Sequence, residues 1–510
     1  MSKASIPYSL QLPFGRHNSL LATSSRAGTE VAEVTMADES PLQVVEYRSL
    51  QELALPHFLP CFISQVVRCL TVAVLPMHVL SLGYSYDDVG LLSTVAGVGI
   101  ALGNIPAGML TTAYGPRFVL LVHCVLFASS AAFSCAASKV QAHLALPCFA
   151  ASFWLLGTAE SVGLLAGNTF MGSTAHSSLR GRAGSTQGGI VRCAASVGPL
   201  VGGMIAQAVG PIAVYALQVI LAMLCAIAIR VLMPLTSATQ DISTSGAMPR
   251  RADSPHGGSL SMADVVREHW RLLLSASTFV GLASYLRKSR ELIFPLEGHE
   301  RGLSQAEVGR YASLSFLVDF ALFPVAGILM DRLGRTRTGA LSFVLTMLSF
   351  LILQRNSPET FAMFAILGGI ANGIQSGLTA TFGADLAPAD CRSNFLAVFR
   401  TLVRTGDPTA SATLGAVANA GSLQGAEMMV AGFCLLGATF ALCAVQEPPR
   451  KEAEAALPAA ALPAAAEPSK SPASDASTVS TCDDERGDLV TALVTGADDL
   501  ESASSAEPAI

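Results

Sequence analysis

Twelve stretches of this chain are apolar over lengths close to the roughly 20 residues that a helix needs to cross the hydrocarbon of a bilayer. No other feature restricts the backbone more. In lipid every peptide N–H and C=O must find its partner internally, so such stretches fold as helices. They fall near 54–80, 86–112, 116–137, 143–170, 185–209 and 211–233, and again near 267–296, 304–332, 338–354, 360–386, 393–420 and 425–445. Six stretches, a polar gap and six more predict an all-α membrane protein with twelve transmembrane helices in two six-helix bundles.

The expected layout is a polar N-terminal tail at 1–52, a first bundle at 53–233, a linker at 234–265, a second bundle at 266–446 and a C-terminal tail at 447–510. The linker is rich in Ser, Gly, Pro and charge. The C-terminal tail opens on "KEAEAALPAAALPAAAEPSK" and reads as disordered low-complexity chain. Residues 1–29 hold Lys3, Arg16 and Arg26 and no acid, a faint transit-peptide pattern beside the plainer reading of a cytoplasmic tail. Lys and Arg crowd one set of loops: Arg117, Arg180, Arg182, Arg250, Arg251, Arg267, Arg332, Arg335, Arg337, Arg392 and Arg450. That bias places both termini and the linker in the cytoplasm.

The two sets of helices repeat each other. A shift of 219 residues brings Arg68 onto Arg287, Pro76 onto Pro295 and Gly83 onto Gly302. It also brings Ser85 onto Ser304, Val89-Gly90 onto Val308-Gly309, Ala107-Gly108 onto Ala326-Gly327, and Gly115 onto Gly334. A second match brings Gly163, Gly167 and Arg182 onto Gly373, Gly377 and Arg392 at a shift of 210, and Pro199 onto Pro408 at 209. Such a duplication predicts halves related by a pseudo-two-fold axis, with a substrate site near the bilayer midplane between them.

Charge inside the apolar helices points to the same place, because ionisable groups at bilayer depth are costly and usually functional. The candidates for substrate or coupling contacts are Arg68, Glu160, Arg192, Arg287, Arg290, Asp319, Arg400, Arg404 and Asp407. Arg400, Arg404 and Asp407 are spaced for one helical face, and Arg287 and Glu291 for an i, i+4 pair. Arg287, Lys288 and Arg290, near a segment end, also suit snorkelling.

Two short motifs carry a resemblance. "GILMDRLGRTR" (327–337) resembles the loop signature of the major facilitator superfamily in Gly327, Leu329, Asp331, Arg332, Gly334 and Arg335. The upstream copy keeps Gly108, Leu110 and Gly115 but has Thr112 and Ala113 in place of the Asp-Arg pair. "ASVGPLVGG" (195–203) resembles the helix-5 signature of that superfamily's proton-coupled exporters in Gly198, Pro199, Gly202 and Gly203, with Ala194 where a glycine is usual. The resemblance covers about 54–446. It implies the major facilitator fold, alternating access, a cavity lined by helices 1, 4, 7 and 10, and a gating role for the signature loops. The missing first-copy acid removes the latch to helix 11 that the family makes. Physically, Gly108 and Gly327 are expected to let helices approach, Gly115 and Gly334 to allow a tight turn, and Asp331 to cap the start of helix 5 near Arg182 when the cytoplasmic side is closed.

The leading expectation is a secondary transporter driving proton-coupled efflux of a small solute, with Asp319, Glu160 or Asp407 taking up the proton. An anion carrier is the runner-up, favoured by the arginine excess. A receptor or scaffold that has lost transport is the alternative of another class. The sequence shows no His/Cys/Asp metal spacing, no G-x-S-x-G and no phosphate loop, so neither an enzyme, a cofactor nor a metal is expected. "GVGIALG" (97–103) reads as helix packing. The net charge of −6 argues against nucleic acid, eleven Cys read as small core residues, and a monomer with a small solute, protons and lipid as partners completes the expectation.

Overall fold

The computed structural model describes residues 46–234, 262–355, 357–388 and 391–447. The tails at 1–45 and 448–510 and most of the linker lie outside the described residues, as does the transit-peptide reading. The described chain forms twelve helical spans. The first half contains α1 (Leu50–Ser81), α2 (Tyr86–Tyr114), α3 (Pro116–Ala137), α4 (Ala142–Thr174), α5 (Arg180–Ala208) and α6 (Pro211–Leu232). The second contains α7 (Met262–Glu300), α8 (Gln305–Leu333), α9 (Arg335–Leu353), α10 (Pro358–Ile374 continued by Leu378–Leu386), α11 (Arg392–Arg404 continued by Gly406–Ala420) and α12 (Leu423–Cys443).

The duplication is visible in how equivalent helices start and stop. Ser85 accepts a hydrogen bond from the Asp88 N–H while Asp88 accepts from the Ser85 N–H, and Ser304 and Glu307 do the same at α8. These capping boxes satisfy helix-terminal donors that lipid cannot. Each box follows a positive-φ glycine, Gly83 (φ 89°) or Gly302 (φ 67°), and each helix ends at another, Gly115 (φ 80°) or Gly334 (φ 95°). Only glycine takes these turns without strain.

Nine of the described helices are long and apolar enough to cross a membrane. The other three spans, α7, α10 and α11, fall short for a reason that matters. α7 carries Arg287, Lys288, Arg290 and Glu291 in one turn and a half. α10 breaks at Gln375–Gly377, where Gly377 has φ 90°, and α11 breaks at Thr405. Charge and broken helix at mid-depth are where a site is expected.

At the end where α2 and α8 begin, the halves interlock through small residues. Gly90 of α2 sits on Gly415 of α11, and its repeat partner Gly309 of α8 sits on Gly203 of α5 and the Pro199 carbonyl. A Cβ on Gly203 would lie 2.4 Å from the Gln305 carbonyl oxygen. Gly198 and Gly202 seat α5 on Cys69 and Leu70 of α1. The GPLVGG stretch is therefore a two-sided seam, against α1 on one face and α8 on the other. Gly97, Gly99 and Gly103 pack on Pro408, Trp154 and Thr158, which is packing as expected.

The opposite end, which carries the Gly115 and Gly334 turns, is different. A Cβ at Gly108 or Gly327 would meet nothing within 4 Å, so these glycines mediate no close approach here. Asp331 is exposed and has no hydrogen bond or ion pair among the described residues; the cap on α5, expected when this side is closed, is not formed in this conformation. No neighbour packs on Gly108 or Gly327 at this end, whereas the halves touch closely at the far one. Thr112, in the upstream copy, only bonds back to the Gly108 carbonyl of its own helix at 3.0 Å. Glu447, just past α12, caps α9 by accepting from the backbone N–H groups of Arg335 and Thr336, and the Arg335 guanidinium pairs with Asp385 at the end of α10.

Candidate functional site: a charged cavity between the halves

A cavity of about 410 Å³ lies between the halves, in the size range of small-molecule sites. Eight helices line it. Helices 1, 4, 7 and 10 contribute as the resemblance implied, joined by 2, 5, 8 and 11. Arg68, Glu160, Arg192, Arg287, Asp319, Arg404 and Asp407 all reach it, together with Lys288 and Glu291.

These charges are organised as pairs. Arg68 Nη1 lies 3.5 Å from Glu160 Oε2, and its Nε donates to Gln65 Oε1 at 3.2 Å. Arg287 pairs with Asp407 at 3.7 Å, and Lys288 with Glu291 at 3.7 Å. The i, i+4 pair expected between Arg287 and Glu291 is thus replaced: each takes another partner, because α11 brings Asp407 to Arg287. Arg192 Nε pairs with Asp319 Oδ1 at 3.3 Å, and this pair joins the first half to the second.

Asp319 is 4% exposed and its oxygens are well supplied with donors. Asn372 Nδ2 donates to Oδ2 at 2.7 Å, and Ser376 Oγ to Oδ1 at 3.1 Å. Arg192 Nε also reaches Ser376 Oγ at 3.2 Å, its Nη1 donates to the Gly188 carbonyl at 3.0 Å, and its guanidinium covers the Phe323 ring at 4.4 Å. A buried carboxylate is tolerable only when paired and hydrogen-bonded in this way. Gly373 makes room for α8: a Cβ there would lie 2.8 Å from Leu322.

Two candidates are not at the cavity. Arg290 is 2% exposed and turns into the second half, donating from Nη1 to Ser315 Oγ at 2.5 Å beside Gly368. Arg400 is exposed on the first segment of α11. The break at Thr405, where Gly406 packs on the Gly281 carbonyl, interrupts the face that Arg400, Arg404 and Asp407 were expected to share. Asn372 and Ser376 were missed. Their only signal was the polar run "NGIQSG" (372–377) inside an apolar helix.

Fold and site together define a multi-pass membrane protein built around a solute-sized, charge-lined cavity between two repeated halves. The model of the Major Facilitator Superfamily matches residues 58–287 and 291–479, and the chain belongs to that superfamily. Its class is that of a membrane transporter and not an enzyme. Among curated proteins, the cis,cis-muconate transport protein of Acinetobacter baylyi is 30% identical over 122 residues, which is 24% of this chain and 28% of that protein. Among solved structures, a D-xylose–proton symporter superposes with a TM-score of 0.60 at 15% identity, over 78% of this chain and 98% of its own. The nucleoside transporter NupG superposes at 0.59 and 14% identity, over 76% and 98%. At these identities the two structures speak to the fold alone.

Proposed function

We propose that the protein is a secondary active transporter that carries a small organic anion by alternating access, with protons as the coupling ion. The observation that carries the reading is the charge of the cavity wall: five cations against four carboxylates. Each carboxylate has its own cation at 3.3–3.7 Å. Arg404 is left over, lining the cavity with no ion pair or hydrogen bond among the described residues. A surplus guanidinium in a site of low dielectric attracts a carboxylate, and the partial similarity to a muconate transport protein agrees with that chemistry.

Asp319 is the coupling residue in this reading. Protonating it cancels the charge that holds Arg192 across the two halves, so the pair loosens and the halves can rock. The cavity is then offered to one side with the other sealed. With both termini in the cytoplasm, as the Lys/Arg distribution favours, the sealed end of this conformation faces outward.

A second reading, proton-driven efflux, rests on Gly198, Pro199, Gly202 and Gly203. The seam they form blocks leak, which import and export both require, so it supports coupling more than direction.

The test is uptake into proteoliposomes under an imposed pH gradient, with muconate, other carboxylates and neutral sugars compared. Carboxylates are expected to accumulate and neutral solutes to remain at equilibrium. Arg404→Gln is expected to raise the half-saturating anion concentration about tenfold to a hundredfold, the loss of one charge-assisted hydrogen bond of about 1.5–3 kcal/mol. Equal accumulation of neutral sugars, uninhibited by carboxylates, refutes the anion reading.

A further inference from the structure

Away from the cavity, the sealed end of the second half holds ionisable groups that the transport reading does not use. Glu427, in the second turn of α12, is 1% exposed, and Glu297, in the last turn of α7, is 7% exposed. Glu427 Oε2 accepts from Gln354 Nε2 at 2.6 Å. Its Oε1 is buried and has no donor among the described residues. Glu297 is held at the same corner. Arg301, which pairs with Glu297, also donates to the carbonyl of Leu353, the neighbour of Gln354. The Glu297 carboxyl, itself an acceptor, stands close to that of Glu427.

One cation serves both acids. Arg301 Nε donates to Glu297 Oε1 at 2.5 Å. The rest of its guanidinium is committed to the Ser357 carbonyl at 3.0 Å, Thr360 Oγ1 at 3.2 Å and the Leu353 carbonyl at 2.7 Å. Tyr86, from the other half, also lies in the field of Glu297 and brings no positive charge. Two facing carboxylates with one guanidinium leave an uncompensated buried charge and an unfilled acceptor. A single proton removes both faults, turning Glu427 into a donor toward Glu297 and leaving one negative charge opposite one positive.

We propose that Glu297 and Glu427 form a proton-binding site, separate from the central cavity, in which one proton bridges the two carboxyls. The site is built into the corner that seals this end. Glu300, one turn beyond Glu297, accepts the Tyr86 hydroxyl from the other half. Gln305, just past the corner, supplies the carbonyl on which Gly203 sits. A conformation that holds the two carboxyls together binds the proton more tightly than one that separates them. By linkage acid therefore favours the sealed end and alkali its release. This last step rests on the alternating-access reading; the proton site does not.

Infrared spectroscopy of the full-length protein in lipid tests the site directly. At neutral pH the parent is expected to show a protonated-carboxyl stretching band that disappears in Glu427→Gln and stays in Asp319→Asn. Glutamine at 427 keeps the Gln354 contact and offers an N–H to Glu297, so it imitates the protonated acid without emptying the space. Glu297→Gln serves as a second variant and is expected to lose the same band. A cysteine replacing Ser85, at the sealed end, is expected to label faster as pH rises in the parent, and slowly and without pH dependence in Glu427→Gln. A parent spectrum with no band that either glutamine variant removes overturns the site, as does a band that sodium abolishes at constant pH. Intact spectra with pH-independent labelling in the parent overturn its link to sealing. If no solute is transported at all, the spectrum still decides the site.

Discussion

Asp319 is the one cavity carboxylate, among the described residues, whose cation comes from the opposite half. Glu160, Glu291 and Asp407 each pair within their own half. That asymmetry makes Asp319 the residue at which a proton changes the relation of the halves. In Asp319→Asn the Arg192 link is permanently neutralised while Asn372 and Ser376 retain a partner. Accumulation driven by a pH gradient is expected to fall to simple equilibration, with solute exchange kept within about tenfold, equivalent to about 1.4 kcal/mol. Counterflow and gradient-driven uptake measured on the same vesicles separate the two. Glu160→Gln frees Arg68 from its carboxylate and adds a second unpaired cation to the cavity, so it is expected to tighten anion binding and leave gradient-driven accumulation in place. Loss of accumulation in Glu160→Gln with none in Asp319→Asn sinks the assignment.

Among the helices, the seams of α5 with α8 and α2 with α11 decide how tightly one end shuts. Both depend on the absence of side chains, at Gly203 and Gly309 and at Gly90 and Gly415. Gly203→Ala forces a methyl to within 2.4 Å of a backbone oxygen. Overpacking of this kind costs about 1–3 kcal/mol, enough to shift a two-state equilibrium roughly fivefold to a hundredfold. The variant is expected to label more readily at the sealed end, read by the same cysteine at 85. Gly327→Ala meets open space and is expected to leave labelling at that end unchanged. Equal effects of both substitutions contradict the seam. The motif on α5 was legible from its residues, but not its two partners: a glycine pattern specifies close approach without saying to which helix.

At the scale of the molecule, the two ends differ: the halves pack closely where α2 and α8 begin, and Gly108 and Gly327 meet open space where those helices end. Alternating access requires the reverse arrangement to exist. Only then do Gly108, Gly327 and Asp331 have neighbours to meet. A cysteine replacing Gly327 is expected to label freely in the resting protein and to be protected when saturating anion is added. Asp331→Asn is expected to reduce that protection, since a carboxylate at a helix N-terminus contributes up to about 2 kcal/mol. Protection that is unchanged in Asp331→Asn rules out a role for that carboxylate in closing the loop end.

The sequence by itself determined the helices, the duplication and most of the charged lining. The reason is that lipid permits only internally bonded backbone and tolerates charge only in a protected site, so both leave direct marks on composition. Capping boxes and turn glycines at a constant shift of 219 are local chemistry, and local chemistry can be read along a line. Pairing is not local. Arg287 takes Asp407 rather than Glu291, Arg192 reaches across to Asp319, and Arg290 turns away into its own half, because these choices depend on which helices lie side by side. The break in α11, the exposure of Asp331 and the meeting of Glu297 with Glu427 likewise follow from how twelve helices pack in three dimensions. Only the tertiary structure decided them.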